Sequence, residues 1–216
     1  MKTNRHHIFV TGIGTDVGKT LVSAILVQAL GFDYWKPVQA GNLDQSDSKT
    51  LNNLVSRTDI KIHDEYIRLA NPVSPHEAAR MDNCEIILEN IRLPITNNGL
   101  IIEGAGGVMV PLNNTHLMLD LIQWLNCSVV IVSKNYLGSI NHSVLTFEAL
   151  KSRNLDILGW VFNGAENKSA EDFIIQKSKL PKLFSINAEK IINSDVVLQY
   201  ANSISENNPV FAKLFK

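Results

Sequence analysis

The sequence predicts an α/β protein built on a doubly wound, mostly parallel sheet. Apolar runs at 8–11, 34–38, 100–103, 128–133, 157–162 and 183–186 are mostly continuous rather than alternating, as expected of strands covered on both faces. Helical patterns at 18–30, 47–56, 84–92, 117–125, 140–152, 169–179 and 195–205 fall between them, the rhythm of strand–helix–strand crossovers. A glycine-rich loop joins the first run to the first helical pattern, so the residues just after each strand become the candidates for ligand contact.

That loop, Gly12-Ile13-Gly14-Thr15-Asp16-Val17-Gly18-Lys19-Thr20, follows Ile8-Phe9-Val10 and precedes Leu21-Val22-Ala24-Ile25-Leu26. Strand, loop and helix in this order make a phosphate-binding loop, so the architecture expected is that of a P-loop nucleoside triphosphate hydrolase. Glycines let backbone N–H groups curl around phosphate oxygens, and the helix start adds unpaired N–H groups and the positive end of its dipole. Lys19 can reach the terminal phosphates, and the Thr20 hydroxyl can ligate magnesium. The strict pattern has glycine at position 13, where this chain has Ile13.

The 216 residues are expected to form one domain, 1–216, large enough to bury a substantial core. Hydrophobic residues at 45% and charged residues at 19% are ordinary for a soluble globular chain. A net charge near −1 without blocks of Lys or Arg points away from nucleic acid and anionic membranes as partners. No apolar stretch reaches bilayer-spanning length, and Met1–His7 leads into no signal-peptide core, so the expected address is the cytoplasm. Cys84 and Cys127 are read as buried, reduced thiols. Residues 58–83, with prolines at 72 and 75, read as a loop-rich excursion over the edge of the site; the tail from Asn207 reads as a short helix or a frayed end.

The strand ends carry the other candidates. Lys36, before Pro37 and close to Ala40-Gly41, is expected beside the terminal phosphate through adjacency of its strand to the loop strand. Asp47 reads either as part of a helix cap with Ser46 or as a magnesium ligand. Glu103 ends an apolar strand and is expected opposite the Thr20 hydroxyl, with Gly104, Ala105, Gly106 and Gly107 allowing close backbone approach. Ser139, Ile140 and Asn141 open a helix whose free N–H groups suit an anion. His142 reads as a packed or hydrogen-bonded helix residue, and His76 is ambiguous. Asn163 could read a purine edge or simply begin an Asn-Gly turn.

Taken in order, Thr-Gly-(x)5-Gly-Lys-Thr at 11–20, Lys-Pro-Val at 36–38, Ser-Asp at 46–47, Ser-Pro-His at 74–76, Glu-Gly-Ala-Gly-Gly at 103–107, Gly-Ser-Ile-Asn-His at 138–142 and Gly-Trp-Val-Phe-Asn at 159–163 resemble the dethiobiotin synthetase family. That family shares the displaced first glycine. The resemblance implies ATP as co-substrate, magnesium as cofactor, 7,8-diaminononanoate and carbon dioxide as substrates, and a homodimer. Thr20, Asp47 and Glu103 are expected around the metal, and Lys19 and Lys36 at the phosphoryl and carbamate oxygens. Thr15, Lys36, Ala40 and Gly106 are expected at the diamine, with Ser139, Ile140 and Asn141 of a neighbouring subunit at its carboxylate. The implied ATP site comprises Gly14, Thr15, Asp16, Val17, Gly18, Lys19, Thr20, Asp47, Glu103, Gly104, Ala105, Gly106 and Asn163.

The chain departs from the family pattern at Ala40, commonly Ser, at Gly164, commonly Asp, and around 185–189, where the Pro-containing nucleotide loop is not recognisable. Two rivals share the nucleotide core. One is the cobyrinic acid amide-forming ligases, which normally continue into a glutamine-hydrolysing domain. The other is the ATP-switched partition and positioning proteins, whose loop normally carries an early lysine.

Overall fold

The computed structural model describes residues 7–207 and 210. Residues 1–6, read as leading into no signal-peptide core, and most of the tail after Asn207 lie outside the described residues. β1 (His7–Gly12) runs into the loop and then into α1 (Lys19–Leu30), followed by β2 (Asp33–Trp35), β3 (Val38–Ala40) and α2 (Asp47–Leu54). Next come β4 (Ile62–His63), β5 (Ile67–Leu69), α3 (Pro75–Met81), β6 (Leu100–Gly107) and α4 (Met118–Leu125). The last third alternates β7 (Ser128–Lys134), α5 (Ser139–Ser152), β8 (Ile157–Asn163), α6 (Lys168–Ser178), β9 (Lys182–Ile186) and α7 (Ser194–Asn207).

Seven strands form one sheet in the order β4-β2-β6-β1-β7-β8-β9, and every pairing in it is parallel. Helices flank it, α1 against α2 and α7, and α5 against α6. The expected doubly wound parallel sheet is present. Phe9, Val10, Ile101, Ile102, Val130 and Ile131 are all solvent-inaccessible, which is why these strands read as unbroken apolar runs. At about 25 cal/mol per Å² of apolar surface, such a layer is the main stabilising term.

Several expectations are corrected. The helical pattern at 84–92 is no α-helix; only Leu88–Asn90 make a single tight turn. Ile86, Leu88 and Ile91 are buried, so their spacing reflects a segment laid along the core and not a helical face. The run 34–38 breaks at Lys36-Pro37 into β2 and β3, because proline offers no N–H to a ladder. Its second half pairs with β5 in a separate two-stranded sheet. The 58–83 excursion contains β4, β5 and α3, elements too short to leave a periodic signal. Cys84 is exposed, since the chain around it is not helical; Cys127 is buried, and burial pushes its thiol up to about 12. No helix among the described residues is long and apolar enough to cross a membrane.

Candidate active site

The loop is shaped by packing at both ends. Ile13 continues the β1 ladder, its N–H donating to Val132 O at 3.0 Å while its side chain is buried, so an apolar residue stands where the strict motif has glycine. Gly18 has φ of 96°, and a Cβ there would run into the Asn163 amide. The Asn163 Nδ2 donates to Val17 O at 2.8 Å, so this amide braces the loop backbone. Lys134 Nζ reaches Asp16 O at 3.5 Å from the same side.

A cleft of about 760 Å³ lies over the loop. Thr15, Asp16, Gly18, Lys19 and Thr20 of the loop line it together with Lys36, Ala40, Asp47, Glu103, Ala105 and Gly106. Pro72, Val73 and Ser74 close the rim, so the excursion does stand at the edge of the site. A second cavity of about 690 Å³ sits outside α2, lined by Ser48, Asn52, His63 and Glu65, and contains none of the loop residues.

The floor of the cleft is a charged cluster. The Thr20 hydroxyl lies 2.8 Å from Glu103 Oε1 and 3.1 Å from Asp47 Oδ1, with one proton to share between them. Lys36 Nζ is paired with Asp47 Oδ2, donates to Glu103 Oε1 at 3.1 Å and lies 3.4 Å from Gly104 O. Strand adjacency is not the reason for its position. β6 lies between β2 and β1, and Lys36 reaches the cluster from the break after β2. Burial alone would lower the Lys36 ammonium's pKa, but Glu103 and Asp47 outweigh it and hold it above the ordinary lysine value. Lys19 Nζ donates to Gly14 O at 2.9 Å. Burial pulls its pKa down to about 8, with Lys36 adding to the fall and Glu103 and Asp47 opposing it.

Asp47 is not the helix cap. Ser46 Oγ accepts from Lys49 N at 3.4 Å, while the Asp47 carboxylate turns to Lys36 and Thr20. Its backbone is held from the other side, with Asp47 N donating to Gln39 Oε1 at 3.2 Å. Gln39 and Tyr34 are site residues that the motifs do not reveal. Tyr34 Oη donates to Glu103 Oε2 at 2.9 Å, a contact that no spacing along the chain announces.

The α5 start stands apart: Ser139, Ile140 and Asn141 do not line this cleft. The expected free N–H of Ser139 is also corrected, since it donates to Tyr136 O at 2.9 Å and closes a turn. His142 is exposed, with Nδ1 2.6 Å from Tyr136 Oη; His76 Nδ1 lies 3.0 Å from Ser74 Oγ. Gly164 N donates to Ile186 O at 2.8 Å, tying the β8 end to β9.

A parallel sheet, a loop entering a helix and two lysines over two carboxylates define a P-loop nucleotide-binding α/β protein. A family model described as an AAA domain matches residues 6–195. The ATP-dependent dethiobiotin synthetase of Cytophaga hutchinsonii is 50% identical over 200 residues, covering 92% of this chain and 97% of that protein. Its counterpart in Christiangramia forsetii is 47% identical over 193 residues, 89% of this chain and 93% of that one.

The chain belongs to the dethiobiotin synthetase family, ATP-dependent ligases that form carbon–nitrogen bonds. Among solved structures, the septum site-determining protein MinD of Pyrococcus horikoshii, complexed with Mg-ADP, superposes with a TM-score of 0.53 at 14% identity, covering 98% of both chains. A plasmid partition protein of Borrelia burgdorferi bound to AMPPNP gives 0.55 at 11% identity over 98% of this chain and 100% of that one. These likenesses are of fold alone. The positioning and partition proteins share the architecture, and the synthetase relatives supply the family.

Proposed function

We propose that this enzyme converts 7,8-diaminononanoate, carbon dioxide and MgATP into the cyclic urea dethiobiotin, ADP and phosphate, acting in the cytoplasm. The observation that carries the reading is the convergence of the Thr20 hydroxyl, the Asp47 and Glu103 carboxylates and the Lys36 ammonium on the floor of one cleft beside the phosphate loop. An aliphatic diamine needs a cleft that holds both amines near one phosphoryl group, and this cleft is lined by the loop and by small residues, Ala40, Ala105 and Gly106.

One amine takes up carbon dioxide, losing a proton and becoming a carbamate. A carbamate oxygen attacks the γ-phosphorus while the bond to ADP breaks, leaving a carbamic–phosphoric anhydride. The second amine then attacks the carbonyl carbon, loses its proton and expels phosphate as the ring closes. Lys19 would leave Gly14 O for a phosphate oxygen, and Lys36 would neutralise charge on the attacking carbamate or the transferring phosphoryl. Thr20, Asp47 and Glu103 offer hard oxygen donors for magnesium, which would offset the negative charge of the phosphate oxygens. Asn163 braces the loop through Nδ2, and its amide oxygen would be the group available to a purine edge.

The protein would work as a homodimer in which Ile140 and Asn141, at the exposed start of one subunit's α5, meet the carboxylate of the diamine bound by the other. A heterodimer of Lys19→Ala subunits with subunits altered at Ile140 should then regain one intact site. The test of the reaction is to mix protein, MgATP, bicarbonate and candidate diamines and to look for a cyclic urea by mass spectrometry. One ring per ADP released from the nine-carbon diamine is the expected result. ATP turnover that ignores the diamine would overturn the reading.

A further inference from the structure

Outside the residues given a role so far, one buried polar side chain touches the cluster and has no assigned part in it. Tyr34 lies on β2 with no solvent exposure, and its phenol donates to Glu103 Oε2 at 2.9 Å. The opposite oxygen, Oε1, takes the Thr20 hydroxyl at 2.8 Å and the Lys36 ammonium at 3.1 Å. The two oxygens of one buried carboxylate are thus divided between a fixed inner donor and the cleft. We propose that Tyr34 is a positioning residue: it anchors Glu103 by Oε2 so that Oε1 is presented, in one orientation, to the cation that the cluster holds.

The physical case is one of satisfied lone pairs. A carboxylate with 1% exposure cannot leave an oxygen unpaired without a large desolvation cost, and the phenol hydrogen bond meets that need with a group that carries no charge. A cation in place of the phenol would draw Glu103 away from the cleft; an apolar residue would let the carboxylate rotate to share its oxygens among Thr20, Lys36 and water. Partners of this kind, which touch a ligand and not the ion, typically change metal affinity or activity by about ten-fold or more when removed. The inference rests on the reading of Glu103 as a magnesium ligand, and the experiment separates the two.

Tyr34→Phe removes only the hydroxyl and keeps the ring that fills the core. ADP binding is measured by titration calorimetry with and without magnesium in the wild type, in Glu103→Gln and in Tyr34→Phe. The expected result is that magnesium strengthens ADP binding to the wild type and that Tyr34→Phe loses roughly ten-fold of this increment while binding metal-free ADP unchanged. In the Glu103→Gln background the same change should have no further effect. A wild type indifferent to magnesium would overturn the metal reading itself. A Tyr34→Phe protein that keeps the whole increment while Glu103→Gln loses it would overturn the positioning role alone, whatever happens to its melting temperature.

Should Tyr34→Phe fail to fold, the wild type labelled with 3-fluorotyrosine gives a second measurement. The chain has four tyrosines, and Tyr66, Tyr136 and Tyr200 can each be replaced by Phe to identify the Tyr34 fluorine signal by elimination. Adding magnesium to the ADP complex should move that signal more than the other three. A Tyr34 signal that stays in place would count against the proposal.

Discussion

Two carboxylates are buried on neighbouring strands, and their surroundings differ in kind. Asp33, at the amino-terminal end of β2, is met by four groups: Lys61 N at 2.9 Å, Thr96 Oγ1 at 2.6 Å, Asn98 Nδ2 at 3.3 Å and His63 Nε2 at 3.1 Å. Glu103, toward the carboxyl end of β6, is met by one phenol, one shared hydroxyl and one ammonium, and it opens on a cleft. Asp33 is saturated by its own fold and ties β2, β4 and the segment before β6 together. Glu103 is held on one side by the phenol and met on the other by a hydroxyl and an ammonium that themselves line the cleft. Burial of an acid is common to both; only the second lines a cleft together with its donors.

The largest effect should come from the cations of the cleft. Lys36→Ala and Lys19→Ala should each fold and lose most synthesis, since losing one preorganised contact to developing charge costs about 3 kcal/mol in the barrier. Steady-state kinetics on folded protein is the check, and near-normal turnover of Lys36→Ala would remove that residue from the mechanism. Asp33→Asn should do the reverse, lowering stability by about 2 kcal/mol through its broken network while kcat/KM stays near normal.

Asp33 also sets an acid limit. Burial by itself would raise its carboxyl, but the bonds from Thr96, Lys61 N, His63 and Asn98 hold it below the usual carboxylate value. The stabilisation is therefore present above the unfolded value near pH ~4 and lost as pH falls through the lower folded value. Denaturant melts across that acid range should be flatter in Asp33→Asn than in the wild type. An equally steep acid loss in both would place the acid-sensitive group elsewhere.

Next in size is the metal response. On the proposed reading that both serve one ion, Asp47→Asn and Glu103→Gln should each raise the magnesium requirement by roughly ten-fold, and the double change should be less than additive. Fully additive effects would break the shared site. Ser46→Ala supplies the contrast, lowering stability by about 1 kcal/mol with the metal response intact, since Ser46 is the cap and Asp47 is not.

The smallest effect is a pH dependence of binding. With Lys19 at about 8 in the free protein and raised by bound phosphates, ATP binding takes up a proton above that pH. Affinity should then fall about fivefold from pH 8 to 9, and calorimetry in buffers of different ionisation heat should register the proton. Affinity unchanged over that interval would mean that Lys19 is fully charged before ATP arrives. The sign for folding is opposite: with a depressed folded value, the unfolded chain binds more protons between about 8 and 10.5, so stability of the nucleotide-free protein gains with rising pH there.

The periodicity of apolar residues and the order of glycines, lysines and acids carried much of this protein in the sequence alone. Continuous runs ending in Gly12, Glu103, Lys134 and Asn163 announce parallel strands with a ligand edge, because a strand buried on both faces must be apolar until it emerges. Thr20, Lys36, Asp47 and Glu103 were legible as single residues, and the chain does bring them together.

Tertiary structure decided the rest. Which strand separates β1 from β2 is a question of pairing across the chain, and local pattern is silent on it. That 84–92 lies along the core with one tight turn in place of a helix, that Cys84 is exposed, and that the Ser139 amide closes a turn each depend on neighbours distant in sequence or on a single dihedral choice. Tyr34 shows the limit most plainly. In the sequence it is one more aromatic in a buried strand, and only the arrival of Glu103 from 69 residues away turns its hydroxyl into part of the site, because a hydrogen bond exists between positions in space and leaves no trace in spacing along the chain.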